Sequence, residues 1–160
     1  MAFAYLKEII EAAEKENKPF WQIVIEDDMR ERNVSYEQSF ETMRGMYQAM
    51  KEADAAYDPK LRSASGMVGG DGEKLEEFHK KKNRLIGDFL TEVMEKAVKM
   101  GESNACMKRI VAAPTAGSCG VIPAVLLTYE KQKNVSEDKL VEALFVAAGI
   151  LSLIHISEPT

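Results

Sequence analysis

Cysteine is scarce in this sequence, whose 160 residues include only two, Cys106 and Cys119. Two thiols cannot build the several disulfides that hold a small secreted scaffold together. The N-terminus also lacks the basic region and the long apolar stretch of a secretory signal peptide. We therefore expect the protein to work in the cytoplasm.

Long apolar runs and an excess of positive charge are missing as well. No segment approaches the roughly 18–20 consecutive apolar residues that a membrane-spanning helix needs. The formal net charge is −5, and the lysines at 80–82 form the only basic cluster. The sequence therefore predicts neither a membrane nor a nucleic acid as partner. A hydrophobic content of 46% and a charged content of 29% are typical of a globular domain.

The last ten residues, 151–160, read Leu-Ser-Leu-Ile-His-Ile-Ser-Glu-Pro-Thr. They match the translation of a transposon-end sequencing adapter, and residues of that origin are left out of fold reasoning. We therefore expect one native domain over residues 1–150. The apolar pattern that begins near Ser136 continues to this junction, which predicts that a helix is truncated there.

Helical periodicity is the most abundant signal that the sequence does contain. Apolar residues three or four positions apart predict helices over most of the chain. We expect the stripe with the clearest spacing to pack in the core. Ser35 and Gln38 have the capping-box pattern at the start of the same helix. The stripe consists of Phe40, Met43, Tyr47, Met50, Ala53 and Tyr57.

Two further helices are predicted near the middle of the chain. Asp71 is a suitable N-cap for a helix that runs to about Lys82, and the next helix is expected to stop at Gly101. His79, in a segment rich in glutamate and lysine, is expected on the solvated surface. Residues 108–112 fit either a short strand or a buried connector. Because no segment alternates convincingly between apolar and polar residues, the predicted fold class is mostly α.

The first of two glycine-rich segments is Ser63-Ala-Ser-Gly-Met-Val-Gly-Gly-Asp71. Glycine accepts positive φ, so consecutive N–H groups of such a segment can form a concave anion-binding nest. The hydroxyls of Ser63 and Ser65 add donors that suit a carboxylate or a phosphate. A flexible loop between helices has the same composition, so this pattern alone leaves both interpretations open.

The second segment, Ala113-Pro-Thr-Ala-Gly-Ser-Cys-Gly-Val-Ile-Pro-Ala124, leads into a predicted helix. Thr115, Gly117 and Ser118 stand near the start of that helix, where unpaired backbone N–H groups attract anions. The sequence leaves the start open between Ser118 as N-cap and Pro123 as the first residue.

These two segments resemble the signature segments of the α subunit of iron–sulfur L-serine dehydratases. The helices before them are also similar to that subunit, so the resemblance covers essentially all of residues 1–150. It implies a mostly helical catalytic domain, here truncated, that pairs with a β subunit or with a β-like domain on the same chain. It also implies a [4Fe–4S] cluster and the conversion of L-serine to pyruvate and ammonia.

The reaction that this resemblance implies requires the substrate carboxylate to be held still, because positioning supplies much of the rate. Hydroxyl and amide donors suit this task, and both segments offer them. The catalytic base is not identified by the sequence. The resemblance implies this set of substrate-binding residues: Ser63, Ser65, Gly66, Thr115, Gly117 and Ser118.

The cysteine content departs from what a cluster needs. A protein-bound cubane takes about three or four thiolates, whereas this chain has two cysteines in different segments. We expect Cys106 and Cys119 to be packed thiols, and the resemblance implies that the cluster ligands lie beyond residue 150. Two other functions stay open. One is a related iron–sulfur lyase that removes sulfide from cysteine, and the other is a helical module that binds a small anion or a peptide without catalysis.

We therefore expect the purified 160-residue chain to form no pyruvate from L-serine and to show no iron-dependent absorbance, because it lacks the thiolates. The measurement is a pyruvate assay with an absorbance spectrum after anaerobic incubation with iron and sulfide. Pyruvate formation by the chain without an added subunit would contradict this prediction.

Overall fold

The computed structural model describes residues 3–81, 85–113 and 115–157. Over these residues the chain forms seven α-helices and one short 3₁₀ turn without any β-strand, so the predicted mostly α class is confirmed. None of the helices in the described ranges is long and apolar enough to cross a lipid bilayer. The elements in chain order are α1 (Leu6–Glu16), α2 (Phe20–Arg32), α3 (Tyr36–Ala55), α4 (Asp71–His79), α5 (Asp88–Ala105), the 3₁₀ turn (Ala116–Ser118), α6 (Val121–Lys133) and α7 (Glu137–Ser157).

The chain divides into two compact units, one formed by residues 1–47 with 136–160 and the other by residues 48–135. In the first unit α2 packs against α7. An added Cβ at Gly149 would lie 2.6 Å from Val24 Cγ2 and 2.9 Å from Phe20 Cε1, so this helix contact requires glycine. The buried core of the unit consists of Ile9, Ile23, Val24, Ile25, Phe40, Val141, Phe145 and Leu153.

Helix boundaries in the first unit follow from local sequence signals. Ser35 Oγ accepts a hydrogen bond from Gln38 N at 3.3 Å, and Gln38 Oε1 accepts one from Ser35 N at 3.0 Å, so the predicted capping box is confirmed. The C-caps that follow α1 and α2 are Asn17 and Asn33, whose φ angles are 50° and 53°. Asparagine tolerates this left-handed conformation because its short polar side chain bonds locally.

Most of the apolar stripe predicted for α3 lies in the core, but Met43 is half-buried, and Tyr57 lies beyond the end of the helix and is also half-buried. Tyr47 is fully buried, and Met50 and Ala53 are 2% and 8% exposed. Phe40 stacks on Phe145 with their ring centroids 6.2 Å apart. Helix α3 contributes to both units, because the division of the chain falls after Tyr47.

Helix α5 is central to the second unit, where it packs against both α4 and α6. Glu92 of α5 accepts a hydrogen bond from Lys131 Nζ of α6 at 2.7 Å, and Glu95 Oε2 lies 2.8 Å from His79 Nδ1 of α4. The prediction of a solvated His79 is wrong, because its side chain is only 24% exposed. Its partner Glu95 is buried and lies on the neighbouring helix, outside the glutamate-rich segment that suggested a surface position.

The predicted stop of α5 at Gly101 is wrong. The helix begins at Asp88 and continues through Gly101 to Ala105, since one glycine inside a helix costs only about 1 kcal/mol relative to alanine. It ends where Met107 takes a φ of 61°. Helix α5 is therefore longer than the sequence suggests, and its last turn contains residues that follow Gly101.

The segments on either side of α5 also differ from expectation. Helix α4 ends at His79, and Lys82, its predicted end, lies outside the described residues. Residues 108–112 are irregular, and Ile110 packs against a small buried cluster that includes Met100. The segment is therefore a connector and not a strand, but it is not buried as predicted, because residues 108, 109 and 112 are exposed.

Within the described residues, the Thr128 Oγ1 of α6 is a buried hydroxyl without a hydrogen-bond partner. Leaving such a group unpaired costs about 1–3 kcal/mol. We expect Thr128→Val, which replaces the hydroxyl with a methyl group of similar shape, to raise the free energy of unfolding by about 1 kcal/mol. Urea denaturation measures this change.

Thr91→Val is the matched control for that substitution. Thr91 is 2% exposed, and its Oγ1 donates to Gly87 O at 3.0 Å. Removal of this satisfied hydroxyl should lower the free energy of unfolding. If Thr128→Val destabilised the protein as much as the control, the hydroxyl of Thr128 would have a partner in solution.

Candidate functional site

The first glycine-rich segment folds back on itself over residues 63–68, which we call the serine loop. Ser63 N donates to Val68 O at 2.9 Å, and Val68 N donates to Ser63 Oγ at 3.1 Å. Gly66 N closes the turn by donating to Ser63 O at 2.8 Å, and Ser63 Oγ lies 3.1 Å from Ser65 Oγ. The structure therefore brings the predicted residues Ser63, Ser65 and Gly66 together in one loop.

Glycine is required where the serine loop leads into α4. Gly69 has a φ of 136°, and an added Cβ would lie 2.3 Å from Leu61 O. Gly70 has a φ of 85°, and an added Cβ would lie 2.8 Å from Arg62 Nη2. Positive φ disfavours a side chain at both positions, and at Gly69 the Leu61 backbone oxygen excludes one as well, so the loop depends on these two glycines.

A nest of two backbone amides, those of Asp71 and Gly72, follows the first glycine-rich segment, and a carboxylate of the protein itself fills it. Asp71 N donates to Glu102 Oε1 at 2.6 Å, and Gly72 N donates to Glu102 Oε2 at 3.2 Å. Gly70, left-handed and followed by the first helical residues, gives the N–H groups their concave arrangement. The expected capping by Asp71 is wrong, since Gly70 is the N-cap and Glu102 supplies the acceptor.

Tyr57 makes a third hydrogen bond to the same carboxylate, with its hydroxyl 2.6 Å from Glu102 Oε2. Burial, together with the hydrogen bond to Glu102, raises the pKa of the Tyr57 phenol above its ordinary value, so the phenol stays a donor. The adjoining cavity, lined in part by Gly69 and Cys106, measures about 10 Å³, which is room for about one water molecule. This side of the serine loop is therefore closed to a substrate.

The second glycine-rich segment contains its own capping box over residues 115–118, which we call the threonine loop. Thr115 Oγ1 accepts from Ser118 N, and Ser118 Oγ accepts from Thr115 N, each at 3.3 Å. The 3₁₀ turn between them contains Gly117. Thr115 and Gly117 are exposed and Ser118 is half-buried. The three predicted residues of this segment are therefore neighbours as well.

Helix α6 begins at Val121, so neither of the two starting points left open by the sequence is right. Pro123 is the third helical residue, where the N–H has no partner within the helix, so proline removes no hydrogen bond there. The N-cap is Gly120, and an added Cβ at this position would lie 2.6 Å from Ala97 O of α5. Glycine thus allows the start of α6 to pack directly on the α5 backbone.

The last turn of α5 anchors both loops. Glu102 binds the amides that follow the serine loop, and Asn104 Nδ2 donates to Ala116 O of the threonine loop at 2.9 Å. Two side chains on one helix end therefore set the position of both predicted groups of substrate-binding residues.

The hydroxyls of the serine loop retain a donor for an external group. Ser63 and Ser65 have two hydroxyl protons, and their mutual contact uses one of them. Within the described residues the other proton has no assigned acceptor. In the threonine loop Ser118 Oγ donates to Ala113 O at 3.2 Å and lies 3.1 Å from Thr115 Oγ1, so the exposed Thr115 hydroxyl can donate either to Ser118 or to an external acceptor. Neutral O–H donors of this kind suit a carboxylate.

The residues present do not fit the [4Fe–4S] cluster that the resemblance implies. Cys119 is 1% exposed, and burial raises the pKa of its thiol, so it is a packed thiol as expected. Cys106 is half-buried. Among the described residues, no group of three or more histidine, cysteine, aspartate or glutamate side chains is arranged to hold a metal ion. We therefore derive no chemical step through such a cluster.

Sequence reasoning missed Glu102, Asn104 and Tyr57. Glutamate and asparagine are ordinary near the end of a helix, and the expected stop at Gly101 placed both outside α5. A usable signal lay in the glycine-rich segment itself, because a nest of amides needs an anion and the chain supplies many carboxylates. Only the fold identifies which carboxylate fills it.

A family model described as serine dehydratase alpha chain matches residues 15–158 of this sequence. The probable L-serine dehydratase alpha chain of Bacillus subtilis is 30% identical over 147 residues, which cover 92% of this chain and 49% of that relative. The L-serine dehydratase alpha chain of Peptoniphilus asaccharolyticus is 26% identical over 155 residues, which cover 90% of this chain and 50% of that relative.

A shorter similarity relates the chain to L-serine dehydratase 2 of Escherichia coli, with 47% identity over 58 residues, 36% of this chain and 13% of that protein. No solved structure matches the chain. The chain thus spans about half the length of the alpha-chain relatives that it matches.

We expect Gly120→Ala to lower the free energy of unfolding by about 1–3 kcal/mol, because the new methyl group meets the backbone oxygen of Ala97, which cannot rotate away. Gly101→Ala is the control, since an added Cβ there meets nothing within 4 Å, and it should stabilise α5 by about 0.5–1 kcal/mol. Urea denaturation of both variants tests this pair. Equal stability of Gly120→Ala and the unmodified chain would show that α6 does not pack on α5 this closely.

Proposed function

This chain belongs to the serine dehydratase alpha chain family, and we propose that it is the substrate-holding part of an L-serine ammonia-lyase. In that reaction L-serine loses water to give an enamine, which tautomerises to an imine and is hydrolysed to pyruvate and ammonia. We assign to this chain the binding of L-serine through its carboxylate. The names of the relatives, which are L-serine dehydratases, support the choice of substrate.

The anchoring of both loops by the last turn of α5 is the observation that carries this proposal. Glu102 and Asn104 hold the serine loop and the threonine loop from one helix end. Each loop presents a pair of hydroxyls that are already ordered by hydrogen bonds to the backbone. Donors ordered in advance lose little entropy when they bind, and a substrate held in one orientation reacts faster.

The roles of the individual residues follow from their contacts. We propose that the free hydroxyl proton of the Ser63–Ser65 pair and the hydroxyl of Thr115 donate to the substrate carboxylate, and that Ser118 orients Thr115. The exposed backbone at Gly66 and Gly117 allows the carboxylate to approach closely, since neither position has a side chain. These assignments fix how the substrate is held, and they leave the base that removes the α-proton to another group.

The complete enzyme needs more than this chain supplies. We propose that the thiolates for a [4Fe–4S] cluster come from protein outside this sequence, because two cysteines in separate segments are too few. The words alpha chain in the names of the relatives support a β chain, or a β-like domain, as partner. We also propose that this chain works in the cytoplasm, because it contains only two cysteines.

The binding of L-serine to the 160-residue chain tests this proposal. In a titration followed by two-dimensional NMR, the amide signals of residues 63–68 and 115–118 should shift, while those of the first unit should not. Ser65→Ala should weaken L-serine binding about tenfold, which is the loss of one hydrogen bond to a charged group. Thr42→Ala is the control, because that hydroxyl is bonded to Gln38 O of its own helix.

Two further titrations separate the functions that the sequence left open. Tighter binding of L-cysteine than of L-serine would replace the proposal by a cysteine-desulfurating lyase. Binding of inorganic phosphate without L-serine would indicate a non-catalytic anion-binding module. If none of the three ligands shifted either loop, the proposed substrate site would be wrong.

A further inference from the structure

The carboxylate of Glu102 has an unusual set of partners for a buried charge. Its two oxygens accept from Asp71 N, Gly72 N and the Tyr57 hydroxyl, and the residue is 5% exposed. Within the described residues, no lysine or arginine forms an ion pair with it. Buried carboxylates are usually paired with a cation, so here backbone amides and a phenol replace that cation.

These partners suit a carboxylate and no other side chain of the same size. All three are donors, and an ionised carboxylate only accepts. A glutamine at this position would turn its NH₂ group toward at least one backbone N–H, whichever way its amide were placed. The positive end of the α4 dipole adds to the preference for a negative charge. The contact therefore depends on the charge as well as on the shape of the side chain.

The position of Glu102 connects this contact to the serine loop. Asp71 and Gly72, which it binds, follow directly after Gly69 and Gly70, and these glycines end the loop at fixed backbone angles. The tether joins residues 31 positions apart in the chain. Release of the two amides would free the C-terminal end of the serine loop and weaken the internal hydrogen bonds between Ser63 and Val68.

We propose that Glu102 is a positioning residue that holds the serine loop for the substrate and directs the substrate carboxylate away from the nest. This inference rests on the proposed function. With Glu102 in the nest and a cavity of only about 10 Å³ beside it, a second carboxylate finds neither free amides nor space there. Its like charge would also be repelled. The carboxylate of the substrate then binds to the hydroxyl side of the loop.

Glu102→Gln, with Glu92→Gln as a matched control, tests the proposal. Glu92 is a buried carboxylate on the same helix, 4% exposed, but its partners Lys131 and Gln132 lie on α6. Both variants lose one buried charge, so both are expected to be less stable. Circular dichroism and urea denaturation establish conditions under which each variant is fully folded, and L-serine binding is compared there.

We expect Glu102→Gln to weaken L-serine binding about tenfold, and Glu92→Gln to leave it unchanged. In Glu102→Gln the amides of Ser63 and Val68, which Glu102 does not contact, should also exchange their hydrogens faster, because the loop end is released. Tyr57→Phe removes one donor and keeps both amide contacts, so its effect on L-serine binding should be smaller than that of Glu102→Gln. Unchanged binding in folded Glu102→Gln, or an equal loss in Glu92→Gln, would overturn the proposal.

Hydrogen exchange keeps this test separate from the test of the proposed function. If the unmodified chain did not bind L-serine, the proposed function would fail, and the loop amides would still report on Glu102. Faster exchange at Ser63 and Val68 in Glu102→Gln, and not in Glu92→Gln, would then support its positioning role. Unchanged exchange would overturn that role.

Discussion

The hydrogen bonds between the Glu102 carboxylate and the amides of Asp71 and Gly72 are the contact on which the candidate site depends. They fix the serine loop to the end of α5, and Asn104 fixes the threonine loop to the same turn. Neither loop has regular secondary structure across its whole length, so each takes its position from this helix. Because α5 also packs between α4 and α6, its last turn is a firm support for two otherwise irregular segments.

The sequence predicted the fold class, the Ser35–Gln38 capping box and most of the buried stripe of α3, because each of these depends on neighbouring residues. It also located both glycine-rich segments, since glycine density and hydroxyls are visible without a fold. It did not predict the continuation of α5 past Gly101, where packing outweighs a small helix propensity. The partner of His79 and the anion in the nest were missed for one reason, which is that Glu95 and Glu102 are distant in sequence from the groups they bind.

The family match includes most of the residues that the sequence analysis assigned to an adapter. The family match extends to residue 158, and α7 continues to Ser157, so the assignment of residues 151–160 to an adapter stays a prediction. Relatives of about twice this length carry the name L-serine dehydratase, whereas the two cysteines of this chain lie in separate segments and one is buried as a thiol. Our proposal therefore assigns substrate binding to this chain and cluster binding to protein outside this sequence.

The contact between the two serine hydroxyls has a consequence for how tightly the serine loop closes. Val68 N donates to Ser63 Oγ, and Ser63 Oγ can donate in turn to Ser65 Oγ. Hydrogen bonds in such a chain polarise one another, so each donor becomes stronger when its own oxygen accepts a bond. An anion that accepted the last proton of the chain would therefore strengthen the backbone contact at its other end. By reciprocity, a tightly closed turn would bind that anion better than an open one.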